Sequence, residues 1–363
     1  MKNKIIEVQA TTDKTNYSYS AKNESFLDGL LIHYVVRPLL KVFPYSIPAN
    51  FITIFSNTLV FLSFLIAMQA TRGTHYLWFL IPVLVFVYVI GDCADGEQAR
   101  RTKTGSPLGE FLDHFLDTFV TGVLMISIIA SYDIKNPFVA YSVLFISYVT
   151  QATTFWEKFK MHKMHFGKFS STETILSLTL ITTLAYFKTI RDAVSQTLGS
   201  FGFIQNSFLG SCSAICNLTV MELVMLFMTI FALINIIGTL IRSGGASIRY
   251  WMYILFTATA TIIFACQNVQ YYHIPFITLS LLNINYISSL LVSIVMKKND
   301  SYPDFILPVV MVVLFSLGVQ NNAITIASLV YVLLLVVVRA IVFFSKHKQY
   351  WLWKNPKPEE SAQ

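Results

Sequence analysis

Charged residues are scarce in this sequence. Asp, Glu, Lys and Arg together make up 12% of its 363 residues, whereas hydrophobic residues make up 55%. Soluble domains contain about twice that share of charged residues, and the apolar stretches here are too long and too many to form a soluble core. The composition therefore predicts a polytopic integral membrane protein of the all-α class.

Cysteine is also rare. The four cysteines are too few for a disulfide scaffold. Cys212 and Cys216 lie in a polar loop and could form a disulfide only if that loop faces an oxidising compartment. Residues 1–24 are polar and contain no apolar run typical of a cleavable signal peptide. We therefore expect membrane insertion through helices that stay in the protein.

Apolar stretches close to the roughly 20 residues that a bilayer requires predict about ten transmembrane helices. The ninth is short. The predicted spans are 49–70, 76–98, 109–131, 136–157, 171–188, 219–241, 248–266, 273–296, 304–319 and 322–344.

The distribution of lysine and arginine indicates the topology. If the N-terminus lies in the cytosol and the spans alternate, all but four of the 26 lysines and arginines fall on the cytosolic side. This positive-inside bias predicts an even number of spans with both termini in the cytosol. It also accounts for the net charge of +7 without a nucleic-acid partner, because basic residues gather at the anionic membrane face.

Residues 25–43 are apolar but too short to cross a membrane, and Arg37-Pro38 interrupts them. We expect an amphipathic helix that lies on the cytosolic membrane face. A simple anchor and a role in lateral lipid entry are the two interpretations. The tail after residue 345 is basic and contains Trp351 and Trp353, which also suit the membrane interface.

Four aspartates form the strongest functional signal. Asp92 and Asp95 are three residues apart, and Asp113 and Asp117 are four apart, so each pair shares one face of a helix. An ionised carboxylate in such an apolar context is costly, so it needs a partner and usually has a function. The spacing therefore predicts a cage of carboxylates.

This cage is expected where the two helices meet at the cytosolic border of the membrane. The polar linker 101–107 joins them there, and Gly96 and Gly109 lack a Cβ, which lets a ligand or a neighbouring helix approach. Hard oxygen ligands suit Mg²⁺ or Mn²⁺ rather than zinc. Two such ions can hold both the attacking and the leaving oxygen of a phosphoryl transfer.

The aspartates belong to a longer pattern, Asp-x2-Asp-Gly-x2-Ala-Arg-x8-Gly-x3-Asp-x3-Asp, which spans residues 92–117. It resembles the signature of the CDP-alcohol phosphotransferases at every fixed position. Gln-Ala-Arg-Arg-Thr, Ser-Pro-Leu-Gly-Glu and Asp-His within it are similar to the choline/ethanolamine phosphotransferase branch. Residues 47–53 and 156–159 also resemble that branch. So does 167–173, except that Ser171-Thr172 stands where the branch has Gly-Pro. The resemblance covers residues 25–175.

The resemblance implies transfer of phosphocholine or phosphoethanolamine from CDP-choline or CDP-ethanolamine to the hydroxyl of diacylglycerol, with release of CMP. This is the last step of phospholipid synthesis, and it implies two Mg²⁺ or Mn²⁺ ions. The metal ligands would be Asp92, Asp95, Asp113 and Asp117. The residues expected to bind the CDP-alcohol are Asn50, Gly96, Ala99 and Gly109 around the nucleotide, and Arg100 and Lys103 as electrostatic clamps on the diphosphate.

The resemblance also divides the chain. We predict a cytosolic N-terminal segment with the interfacial helix (1–46), the catalytic helices (47–188), further transmembrane helices (189–344) and a cytosolic tail (345–363). The active site would face the cytosol, in a bacterial plasma membrane or a membrane of the endoplasmic-reticulum type. A homodimer, common in the family, stays open.

The acceptor hydroxyl needs a base, and two residues are candidates. Asp117 is the family-wide one, and His114 is specific to the branch, with an imidazole suited to proton transfer near neutral pH. We favour His114. For a cationic head group, Trp156 would supply an aromatic face and Glu157 or Glu173 a counter-charge; an interface anchor or a helix cap is the alternative for each.

Two other functions are weighed against this one. The first is a transferase of the same family that uses another alcohol or acceptor, such as inositol, glycerol phosphate or serine. The second is an ion transporter with the acids as a permeation site. A transporter predicts acids near the bilayer midplane, whereas Arg100, Arg101 and Lys103 place these near the cytosolic border.

Overall fold

The computed structural model describes residues 21–23, 25–70, 75–166, 171–267, 273–295 and 298–346. The first 20 residues, the 167–170 part of the family-like segment and the tail with Trp351 and Trp353 lie outside them. Within the described ranges the chain is almost entirely helical, which confirms the all-α prediction. Two three-residue strands, β1 (Ala21–Asn23) and β2 (Met164–Phe166), pair in parallel with Ala21 opposite Met164.

Fifteen α-helices follow one another in the described residues. They are α1 (Phe26–Leu31), α2 (Arg37–Val42), α3 (Ala49–Ala70), α4 (Leu80–Thr102), α5 (Pro107–Ser131), α6 (Pro137–Met161), α7 (Ser171–Leu184), α8 (Lys188–Val194), α9 (Gly202–Gln205), α10 (Ser213–Cys216), α11 (Val220–Arg242), α12 (Ile248–Cys266), α13 (His273–Val295), α14 (Ile306–Ser316) and α15 (Asn321–Lys346). Cys212 and Cys216, beside and within α10, are free thiols.

Eight of these helices are long and apolar enough to cross a membrane: α3, α4, α5, α6, α11, α12, α13 and α15. They confirm a polytopic integral membrane protein. The fifth and ninth predicted spans form shorter helices. α7 has 14 residues and α14 has 11, which reach about 21 and 17 Å at 1.5 Å per residue, against a hydrocarbon core of about 30 Å. α14 stops before Gly318, whose φ of +70° is a helix-ending conformation.

The helices α5 and α13 form the centre of the molecule. In their candidate spans 72% and 78% of the residues are buried, against 17% for α11 and 22% for α15. α5 packs against α3, α6, α7 and α13, and α4 packs against α3 and α7. The aspartate-bearing faces of α4 and α5 therefore lie inside the helical bundle.

The predicted interfacial segment forms a helical stretch from α1 to α2, joined by a wider π-helical turn at Ile32–Val36. Pro38 lacks a backbone N–H, so the regular hydrogen-bond ladder is interrupted at this point. The stretch packs against α4 and does not continue into α3. Arg101 donates to the carbonyls of Leu40 and Phe43, and Gln98 donates to that of Ile47 at 2.7 Å. These contacts fix the segment to the C-terminal end of α4, the end that the sequence predicts to face the cytosol.

Candidate active site

The four predicted aspartates come together between α4 and α5. Carboxylate oxygens of Asp92, Asp95 and Asp113 lie within 4.8 Å of one another, and so do ligand atoms of Asp113, His114 and Asp117. Asp113 belongs to both groups and joins them. At a rise of about 1.5 Å per residue, the aspartates lie about 10–15 Å from the ends of α4 and α5 that the linker connects. The cage is therefore set into the bundle below the linker.

Local sequence explains why the two helices meet this way. α4 ends at Thr102, and its C-cap residue Lys103 adopts a left-handed conformation with φ of 54°. Ser106 caps α5 by accepting a hydrogen bond from the N–H of Gly109 at 3.0 Å, and Pro107 occupies the first turn, where its missing N–H costs nothing. Only Thr104 and Gly105 then separate the two caps, so the chain turns tightly between the helices, which both pack against α3 and α7.

Two hydroxyl groups donate hydrogen bonds to carboxylates of the cage. The Thr53 hydroxyl on α3 donates to Asp95 Oδ2 at 2.5 Å, and the Tyr88 hydroxyl on α4 donates to Asp117 Oδ1 at 2.9 Å. Sequence reasoning assigned neither a role. Tyr88 lies one turn before Asp92 on the same helix face, which is a signal that was available. Thr53 belongs to the family-like segment 47–53.

His114 lies in the site and is buried, with 7% of its surface exposed. Its ring packs edge-on against Phe155 of α6, with 5.7 Å between ring centroids. Both candidate bases, His114 and Asp117, thus reach the same group of ligand atoms as Asp113. The choice between them stays a prediction.

The donor set fits a divalent cation. Asp113 Oδ1 is buried and accepts no hydrogen bond from the described residues. Among those residues no lysine or arginine forms a salt bridge with any of the four aspartates. Buried carboxylates without a cationic partner are costly, and clustered carboxylate oxygens are ligands that Mg²⁺ and Mn²⁺ prefer. The cluster is one that could bind such a metal.

Of the residues predicted around the nucleotide, Asn50 and Gly109 lie together. A Cβ on Gly109 would approach Asn50 Oδ1 to 3.1 Å, so glycine keeps α5 close to the start of α3. Arg100 lies over Gly96 and pairs with Glu97 at 2.9 Å. Ala99 and Lys103 lie at the C-terminal end of α4. The Ala99 carbonyl accepts a hydrogen bond from the Thr104 N–H at 3.0 Å, and the Lys103 side chain is exposed. The nucleotide and diphosphate roles of these residues stay predictions.

The residues predicted at the head group make contacts between helices. Trp156 is buried and donates from Nε1 to the Gly245 carbonyl at 3.1 Å. Glu157 is buried and pairs with Arg242 of α11, with 2.9 Å between Arg242 Nε and Glu157 Oε1. Their polar groups are thus committed to the packing of α6 against α11 and the turn after it.

Glu173 is committed in a similar way. Its Oε1 accepts from the Ser25 hydroxyl at 2.6 Å and from the Leu27 N–H at 3.1 Å. It therefore fastens the start of α1 to the start of α7. A head-group role for Trp156, Glu157 or Glu173 stays a prediction that these contacts do not favour.

Comparison with known proteins shows which family the region around this site resembles. Residues 46–205 match the model of the CDP-alcohol phosphatidyltransferase family. The chain is 29% identical over 158 residues to human ethanolaminephosphotransferase 1, which covers 39% of this chain and 40% of that protein. It is 25% identical over 162 residues to cholinephosphotransferase 1 of Saccharomyces cerevisiae, covering 42% and 40% of the two chains.

A third relative is choline/ethanolaminephosphotransferase 1 of Arabidopsis thaliana, 36% identical over 106 residues, or 28% of this chain and 27% of that protein. Each match thus spans less than half of the relative's length. The matched region contains the whole aspartate cage with α3, α4, α5 and α6. Over residues 46–205 the chain is therefore similar to the CDP-alcohol phosphatidyltransferases, a family of transferase enzymes.

Proposed function

We propose that this protein transfers phosphocholine or phosphoethanolamine from a CDP-alcohol to the hydroxyl of diacylglycerol and releases CMP. The observation that carries the proposal is the convergence of Asp92, Asp95, Asp113 and Asp117 in one buried cluster within the family-matched region. The names of the three relatives above, which act with choline or ethanolamine, support the choice of head group.

In this proposal the four aspartates hold two Mg²⁺ or Mn²⁺ ions. Such ions, when bound, would supply positive charge against the diphosphate and the leaving CMP. The Thr53 and Tyr88 hydroxyls orient the Asp95 and Asp117 carboxylates through the hydrogen bonds that they donate. Arg100 and Lys103, at the open end of α4, would attract the diphosphate from the aqueous side.

Proton transfer falls to a residue of α5. His114 is our preferred base for the diacylglycerol hydroxyl, because its ring is held beside the aspartates and is not needed as a charged ligand. Asp117 is the alternative, and one of its oxygens accepts a hydrogen bond from the Tyr88 hydroxyl. The bundle around the site limits the access of water, which would otherwise compete with the lipid hydroxyl.

The lipid acceptor fits the position of the cage. An acyl-chain substrate stays in the bilayer, and the aspartates lie within helices that can cross it, near the ends joined by the polar linker. A water-soluble CDP-alcohol can approach that end from the aqueous phase. We propose that this is the cytosolic face, as the distribution of lysine and arginine predicts.

The test is a transfer assay on the purified full-length chain in lipid nanodiscs. Diacylglycerol and Mg²⁺ are supplied with CDP-choline, CDP-ethanolamine or CDP-glycerol in turn, and both CMP and the lipid product are measured. We expect phospholipid to form with CDP-choline or CDP-ethanolamine. Product with CDP-glycerol alone, or with inositol and CDP-diacylglycerol in a further reaction, would replace the proposed substrates with the family alternative.

A further inference from the structure

The helix α6 brings a buried lysine to the side of the candidate active site. Lys158 Nζ lies 2.6 Å from Glu110 Oε1 of α5, and the two side chains are only 5% and 11% exposed. Removing two charges from water is costly, and the attraction within the pair must offset this cost. A pair in this position is therefore expected to serve a purpose beyond general stability.

The pair adjoins the site directly. Glu110 precedes Asp113 by three residues and His114 by four, so all three lie on one face of α5. On α6, Phe155 lies one turn before Lys158, and its ring meets the His114 ring edge-on. α5 and α6 thus meet at two successive contacts, an ion pair at Glu110 and a ring contact at His114.

The pair also separates Glu110 from the aspartate cage. Glu110 lies on the same face of α5 as Asp113 and Asp117 and adds one acid to the four aspartates of the cage. Among the described residues, however, it belongs to neither group of clustered ligand atoms. Lys158 balances its charge and draws it toward α6. Helices in a bilayer gain little from the hydrophobic effect when they associate, so a polar contact of this kind can set their register.

We propose that Lys158, through its ion pair with Glu110, is a positioning residue that holds the His114 ring and the Asp113 carboxylate in the orientation required for transfer. This inference rests on the proposed function. It assigns Lys158 no contact with substrate. Its effect passes through Glu110 to the turn of α5 on which His114 and Asp113 lie.

The experiment separates positioning from stability. Lys158→Met, Glu110→Gln, the double variant K158M/E110Q and Lys158→Arg are purified as full chains, and thermal unfolding, kcat and KM for the CDP-alcohol are measured. Each neutral single variant leaves one buried charge unpaired, so both should lower the unfolding temperature. The double variant removes both charges and should recover that temperature.

The positioning role predicts that the recovered double variant still has a kcat about 10²-fold below that of the unmodified chain, the scale of a small misplacement at a reacting centre. KM for the CDP-alcohol should change little. Lys158→Arg, which keeps the charge, should retain most of kcat even if the neutral variants fail to fold. Recovery of both unfolding temperature and kcat in the double variant would overturn the inference, as would a Lys158→Arg chain that folds but is as inactive as the neutral variants.

A matched control is the Arg249–Asp300 pair, with 2.5 Å between its charged atoms and no residue of the cage beside it. The double variant R249M/D300N should leave kcat unchanged. A readout independent of turnover is the His114 signal in ¹³C-histidine NMR spectra, assigned with His114→Gln. It should move in K158M/E110Q and stay in R249M/D300N; an unmoved signal in both would contradict the inference. Absence of transfer by the unmodified chain would instead reject the proposed function.

Discussion

At the scale of single residues, the hydroxyls that touch the cage should tune its affinity for metal. Thr53 and Tyr88 each donate a hydrogen bond to a carboxylate. Loss of such an outer contact typically costs about 10–100-fold in metal affinity. We expect Thr53→Val and Tyr88→Phe to raise the Mg²⁺ concentration for half-maximal CMP release by a factor in this range. Tyr132→Phe, which removes a hydroxyl bonded to the distant Ile181 carbonyl, is the control. An unchanged Mg²⁺ dependence in both site variants would exclude this role.

The choice of base is also decided at this scale. His114→Ala should lower turnover by roughly 10²-fold or more, the usual effect of losing a positioned general base, with CDP-alcohol affinity nearly unchanged. Asp117→Asn should weaken metal-dependent binding as well, because Asp117 is also a predicted ligand. Turnover and nucleotide affinity are measured for both variants across pH. If His114→Ala keeps near-normal turnover at neutral pH, the proton goes to Asp117.

The sequence predicted the aspartates but not their partners. Helical spacing alone puts Asp92 with Asp95 and Asp113 with Asp117, because residues three and four apart share a helix face. Tertiary packing decides that Thr53 of α3 meets Asp95 and that Lys158 of α6 meets Glu110. For the same reason Trp156 and Glu157, expected at the head group, bond to Gly245 and Arg242. These partners could not be read from spacing.

At the scale of helices, the close approach of α3 and α4 depends on one glycine. A Cβ on Gly91 would lie 2.5 Å from the Ser56 Cβ, a separation that real side chains do not tolerate. Gly91→Ala should force the helices apart and cost about 1–3 kcal/mol, the range for overpacking. Thermal unfolding in detergent measures it. Gly238→Ala in α11, where the nearest atom is an Arg242 side-chain nitrogen at 3.7 Å, is the control and should be neutral or slightly stabilising. Equal unfolding temperatures for the two variants would contradict this account.

Hydropathy predicted where the helices lie more accurately than it predicted where the shorter ones end. Long apolar runs predicted the eight spanning helices within a few residues, because one bilayer thickness fixes their length. Such runs do not reveal where a helix stops within them. The predicted span 171–188 merges α7 with the turn at 185–187 and the start of α8. The predicted span 304–319 includes Gly318, which lies beyond the end of α14.

At the scale of the whole molecule, α7 decides the topology of the middle of the chain. Between Lys103 and the loop at 212–216 lie α5, α6 and α7, followed by the short helices α8 and α9. If the 14-residue α7 crosses with its flanks, Lys103 and the loop lie on opposite sides of the membrane; if it does not, they lie on the same side. We expect opposite sides, with Lys103 and Lys163 in the cytosol. Cysteines placed at 103 and 163, and those native at 212 and 216, are labelled with an impermeant reagent on sealed vesicles. Labelling of 103 and 212–216 from one side would remove α7 from the spans.

The helices beyond the matched region belong to the same core. α13 packs against α5 and α6, and Asn283 on it donates to Gln151 of α6 at 2.7 Å. Gln151 in turn donates to the Thr121 hydroxyl of α5 at 3.1 Å, one turn below the cage. Such buried polar contacts fix the relative register of helices in a membrane. α13 therefore supports the site although it lies beyond residue 205, where the family match ends.

The central claim is that the four carboxylates bind the divalent cations on which transfer depends. The most direct test measures CMP release against free Mg²⁺ or Mn²⁺ for the unmodified chain and for Asp92→Asn, Asp95→Asn and Asp113→Asn. Each substitution removes a charged oxygen ligand from a shared cluster. We predict that excess EDTA abolishes CMP release, that added Mg²⁺ or Mn²⁺ restores it, and that none of the three variants recovers at any metal concentration. Full turnover in excess chelator, or in any of these variants, would contradict the account.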